Sequence, residues 1–182
     1  MTDENTEDIP TNVLGFEIIG ATPEEKHQIV MMLCRLPMSH RKAFKELRII
    51  SEPEWKAFIS HLSTAAGLAL LGAPEPLLIR ERCRDNLIST TLHEIGHTIW
   101  HNFLTEDERQ DFLNTIEWVR AGELVAISWY AEVGGFIEHF AEAYANYVLK
   151  PHYLRRKEPD VYRWLKNYVF HGETYLYLEG KS

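Results

Sequence analysis

Two histidines four residues apart, with a glutamate directly after the first, stand in the middle of the chain as His93-Glu94-Ile95-Gly96-His97. On a helix, side chains at i and i+4 lie one above the other, so both imidazoles can reach a single metal ion. Zinc favours two neutral histidine nitrogens with a carboxylate and, in catalytic sites, keeps a fourth position for water. A glutamate following the first His is placed to take the proton of that water. The spacing therefore predicts His93 and His97 as ligands to one Zn2+ and Glu94 as general base.

Such a site needs a third ligand from another segment, and a carboxylate to orient a ligating imidazole. Phe136 to Leu149 reads as a helix ended by Pro151, with Glu138 and Glu142 four apart on one face beside Ala141 and Ala145. Two carboxylates on an alanine-lined face repel each other unless positive charge lies nearby, and small residues let another helix approach. Glu138 is assigned as the third ligand. Glu142, one turn on, is assigned to the free ring nitrogen of a ligating His, His93 ahead of His97. Both glutamates lying solvated on a surface face is the alternative. Three rivals rank below Glu138. His101 lies eight after His93, about 12 Å away along a straight helix and too far to close one tetrahedron. His139 points about 100 degrees away from Glu138 around the helix, and Glu132 precedes Gly134-Gly135.

The elements that must hold these residues follow from periodicity. Ile88, Leu92, Ile95, Ile99 and Phe103 make an apolar stripe on a face other than that of the two histidines, with Asp85 or Asn86 as cap. Thr105 with Glu108 reads as the capping box of the next helix, Glu106 to Arg120, with Phe112, Ile116 and Val119 inward. Upstream, Val13 to Ile19 reads as a strand ending at Gly20. Thr22-Pro23-Glu24-Glu25 opens a helix that stops before Pro37. Leu47 to Ile50 reads as a strand and Ser51-Glu52-Pro53-Glu54 as the cap of a short helix. Gly67 to Leu71 and Leu77 to Ile79 read as two strands joined by a proline-rich turn. Prolines flanking a strand suit a sheet edge. Zinc endopeptidases commonly bind an extended peptide along such an edge, and for Leu77 to Glu81 this is an expectation taken from those enzymes rather than from the residues. Gly122 to Trp129 is ambiguous, and Ser128 to Gly135 reads as a loop. Val161, Trp164, Leu165 and Tyr168 have helical spacing that predicts core packing, Arg155-Arg156-Lys157 reads as a solvated turn, and His171-Gly172 as a helix stop.

Composition bounds the rest. The 182 residues predict a disordered, acidic tail over residues 1–12 and a single domain over 13–182. Net charge is -8 without a basic stripe, which argues against nucleic acid as a partner. Cys34 and Cys83 lack a metal-ligand spacing and read as idle thiols. The acidic start has no apolar h-region and no run is long enough to span a membrane, so the cytoplasm is the default expectation.

His93 to His97, taken with Glu138-His139-Phe140-Ala141-Glu142-Ala143-Tyr144, resembles the gluzincin peptidases. Within them it is most similar to the anthrax-toxin lethal-factor catalytic domain and the Pro-Pro endopeptidases. Their pattern is His-Glu-x-Gly-His, about forty residues, then Glu-x-Phe-Ala-Glu-Ala-aromatic. The resemblance extends loosely from Leu47 to Leu149. It implies an α+β, zincin-like metallopeptidase domain: a small mixed sheet with an edge strand over the metal helix, and a mainly helical C-terminal half. It also implies His93, His97 and Glu138 as zinc ligands, Glu94 as general base and a tyrosine before the ligand Glu that steadies the oxyanion. Tyr130 matches that tyrosine, at eight residues before Glu138 where the family usually has seven; a core aromatic is its alternative role. The implied function is a zinc-dependent endopeptidase. The run His-Glu-x-Gly-His-x-x-x-His also resembles the ImmA/IrrE regulatory metallopeptidases, which act on repressors, though their interval to the third ligand is usually shorter. A non-catalytic zinc-binding interaction module is the third reading, and an intact Glu94 counts against it.

Overall fold

The structure is a computed structural model that describes residues 16–58, 67–69, 76–83, 86–121 and 135–175. The expected tail over 1–12, the turn at 72–75, the cap at Asp85, and the stretch holding Tyr130 and Glu132 lie outside the described residues. The chain forms two compact units, Met1–Thr91 and Leu92–Ser182. It is mainly helical with one small mixed sheet, an arrangement compatible with an α+β class.

The first unit carries the sheet. Strands β1 (Glu17–Ile19), β2 (Glu46–Ile50), β3 (Gly67–Ala69) and β4 (Pro76–Ile79) lie in the order β1-β2-β4-β3. β1 pairs β2 and β2 pairs β4 in parallel, whereas β3 pairs β4 antiparallel, Leu68 opposite Leu77. Parallel neighbours need a crossover, and helices α1 (Pro23–Leu33), α2 (Met38–Arg41) and α3 (Glu52–Phe58) lie in those connections. The α1 start is the capping box read from sequence: the Thr22 hydroxyl accepts from the Glu25 amide and the Glu25 carboxylate from the Thr22 amide. Gly20 has φ +77, and a Cβ there would run into the Ile49 carbonyl, so β1 can end beside β2 only through glycine. Leu47 and Leu78 from the strands and Ile29 and Leu33 from α1 are fully buried, each burial contributing about 1.5–3 kcal/mol.

One sequence expectation is corrected here. Leu77 to Ile79 is an inner strand, paired on both sides, and Arg80 to Cys83 continues it as a helical turn, α4. Among the described residues, the outer strand beyond it is β3. Pro76 is accommodated as the first residue of β4, where proline is also tolerated; pairing partners are a non-local property that the prolines alone did not define.

The second unit is helical. Helix α5 (Leu87–Asn102) runs across the boundary between units and is followed by α6 (Glu106–Ala121), α7 (Gly135–Leu149), α8 (Pro151–Lys157) and α9 (Pro159–Trp164). A π-helical turn, Leu165–Val169, continues α9. Trp100 of α5, Phe112 of α6, Phe140 of α7 and Trp164 of α9 meet in one cluster, with ring centroids 4.9 to 6.3 Å apart in tilted and edge-on pairs. Such pairs add about 0.5–1.5 kcal/mol each beyond the area they bury. The Trp164 indole N–H donates to Asp111 at 2.8 Å. Tyr162, Tyr147, Phe170 and Tyr144 form a second, stacked run. Two readings need correction. Tyr168 is 42% exposed, lying against the outer face of Trp164, because the wider π turn carries it off the buried line. Arg155, Arg156 and Lys157 are exposed, as a solvated turn would be, but they form the last turn of helix α8, since Pro151, which ends α7, also opens the next helix.

Candidate metal centre

α5 and α7 each bring one face of the site. On α5, Leu92, Ile95 and Ile99 are fully buried, so the apolar stripe anchors the helix and turns the 93/97 face elsewhere. On α7, Phe140, Ala141, Ala143 and Tyr144 are fully buried, which leaves Glu138 and Glu142 on the half-buried side with only 27% and 24% of their side chains exposed.

The four side chains meet. His93 Nε2 lies 3.1 Å from Glu138 Oε2 and 3.1 Å from His97 Nε2, and His97 Nε2 lies 3.4 Å from Glu138 Oε1. One ligand atom from each of His93, His97 and Glu138 can be chosen with all three within 4.8 Å of one another, a set able to hold a metal ion. The other ring nitrogen of His93, Nδ1, is 3.0 Å from Glu142 Oε1. A carboxylate only accepts, so Nδ1 carries the hydrogen and donates to Glu142.

That donor fixes the electrostatics of the cluster. With Nδ1 protonated, Nε2 of neutral His93 is a lone pair, yet it faces a carboxylate oxygen and a second ring nitrogen. A ring nitrogen that faces a carboxylate oxygen and a second imidazole nitrogen is a setting that favours a cation. Burial pushes the His93 pKa down, but the Glu138 and Glu142 carboxylates, with Glu94 nearby, outweigh it and hold it up at about 10. Burial pushes the Glu138 carboxyl up, and the two imidazoles outweigh that and draw it down to about 2.

Glu94, next to His93 and 4% exposed, is buried. His101 is outside the cluster and half-buried, and burial, followed by His97 and Arg109, lowers its ring pKa. His139 is also outside it: fully buried on another face of α7, its Nε2 lies 2.7 Å from Glu158, itself fully buried, while its Nδ1 has no hydrogen-bond partner among the described residues. Sequence reasoning gave His139 no partner, since two residues nineteen apart on different helices share no periodicity. It also read Gly96 only as a motif position. Tyr130 and Glu132 lie outside the described residues.

Among the described residues, no helix is long and apolar enough to cross a membrane. Comparison with protein-family models, with curated proteins and with solved structures finds no match to this chain.

Proposed function

We propose that the chain is a zinc-dependent endopeptidase of the gluzincin type, built on a zincin-like domain, with His93, His97 and Glu138 as ligands to one zinc ion. One observation carries this reading: His93 Nε2, His97 Nε2 and the Glu138 carboxylate converge from two helices, with His93 3.1 Å from His97 and from Glu138 Oε2 and His97 3.4 Å from Glu138 Oε1. A tetrahedral zinc with bonds of about 2.0–2.1 Å requires ligand–ligand edges of about 3.3 Å. Two imidazoles and one carboxylate suit zinc rather than calcium or magnesium, which prefer all-oxygen shells. When bound, the ion supplies a water acidic near neutral pH and polarises a carbonyl oxygen.

The chain's own residues do the rest. Glu142 holds His93 with hydrogen on Nδ1 and so presents Nε2 to the site. Glu94 takes the proton of the attacking water and delivers it to the leaving amine. Tyr130 donates to the developing oxyanion. The substrate is a peptide or protein bound in extended form. A non-catalytic zinc module would have no use for a buried glutamate beside a ligand, which favours the enzyme.

The experiment is a peptide-library cleavage assay on zinc-loaded protein and on Glu94→Gln. The wild type cleaves, and the variant retains zinc while its turnover falls about 10²–10⁴-fold. Full activity in Glu94→Gln would remove Glu94 from the mechanism, and stoichiometric zinc without turnover on any library peptide would favour the interaction module.

A further inference from the structure

Gly96 lies between the two ligand histidines inside α5, where nothing about the backbone calls for glycine: its φ is not among the positive ones. Alanine is the better helix former at an interior position. What glycine provides here is room. A Cβ built on Gly96 would stand 2.9 Å from Ala141 Cα, 3.3 Å from the Ala141 carbonyl oxygen and 3.3 Å from Tyr144 Cβ. All three atoms belong to α7, and they are backbone or the first side-chain carbon, so none can swing aside. α5 and α7 therefore touch backbone to backbone at this point.

The contact falls where the metal centre is assembled. Gly96 follows His93 by three residues and precedes His97 by one, while Ala141 lies between Glu138 and Glu142. The separation of the helices here sets both the His93–Glu138 approach of 3.1 Å and the His93–Glu142 bond of 3.0 Å. Real Cβ atoms essentially never come within 3.0 Å, so a methyl at Gly96 forces the helices to shift, by about 0.5 Å to reach ordinary contact at 3.4 Å from the 2.9 Å it would start at. A metal site tolerates only about ±0.2 Å in its bond lengths.

We propose that Gly96 is a positioning residue of the metal centre: it sets the distance at which α7 presents Glu138 and Glu142 to the histidines of α5. This rests on the zinc reading above and adds the element that tunes it.

The test compares wild type, Gly96→Ala and Ala141→Val, the last thickening the same crossing from the other helix. Zinc affinity is measured by competition with a chromophoric chelator, and ligand geometry by the visible absorption of the Co2+-loaded protein. Both variants are expected to fold, with the far-UV circular dichroism of wild type. They should bind zinc at least tenfold more weakly and show cobalt bands of altered position and intensity. A folded Gly96→Ala with wild-type zinc affinity and an unchanged cobalt spectrum overturns the proposal. If that variant fails to fold, Ala141→Val is judged by the same criteria. Wild-type protein that takes up no zinc, or a Glu138→Ala variant that keeps it, defeats the zinc reading itself. Wild-type binding lost on Glu138→Ala, beside an unaffected Gly96→Ala, defeats only the role given to Gly96.

Discussion

His93 serves two partners at once, giving Nδ1–H to Glu142 and turning Nε2 toward Glu138 and His97. Without Glu142 the ring is free to rotate and to move its hydrogen to Nε2, the atom that has to be bare. Glu142→Ala is therefore expected to weaken zinc binding about 10–100-fold in a chelator competition, with the helices intact by circular dichroism. Unchanged affinity would mean that the 3.0 Å contact does nothing for the metal. All four of these residues were legible in the sequence, because each pair is local: four residues apart on one helix fixes a shared face whatever the rest of the chain does. Which atom of His93 meets which glutamate was only half legible. The His93–Glu142 pairing was expected, whereas Gly96 as the point of closest approach was hidden, since a glycine's neighbour across a helix crossing leaves no mark in its own segment.

At the level of elements, α7 is held on two faces. One face presents Glu138 and Glu142; a different, adjacent face carries the buried His139–Glu158 pair, which ties α7 to the residue where α8 gives way to α9. Removing one partner breaks a buried hydrogen bond, so His139→Ala is expected to lose about 1–3 kcal/mol of stability by chemical denaturation. The double change His139→Leu with Glu158→Leu, which removes both polar groups, should recover part of it. Single and double variants of equal stability would show that the pair is not coupled. In the first unit, Arg80 joins the start of α4 to the start of α1 through Glu25 and the Gly20 carbonyl. Burial pushes the Glu25 carboxyl up, but Arg80 and the Thr22 cap outweigh it and hold it below its ordinary 4.5. A lowered folded-state pKa stabilises above the unfolded value and is lost as pH falls through the folded one. Arg80→Met should thus cost about 0.5–1 kcal/mol at pH 7, with the gap to wild type closing as pH drops below 4.5; a gap independent of pH would rule out the ion pair as its cause. Helix starts were the most legible elements, because the boxes at Thr22–Glu25 and Thr105–Glu108 are complete within four residues. Strand order was not: β4 lies between β2 and β3 through hydrogen bonds to segments far along the chain. The π turn after Trp164 was equally invisible, and it is why Tyr168 left the core.

Over the whole molecule the net charge is -8, and at the candidate centre two imidazoles meet two carboxylates. The functional reading rests on this convergence, and the convergence is what has to be tested. The most direct test counts zinc: wild type and Glu138→Ala are loaded with excess zinc, dialysed, and analysed for metal per chain. The account predicts one zinc ion per wild-type chain and no stoichiometric zinc in the variant. A wild type that comes through empty, or a variant that keeps its full complement, contradicts it.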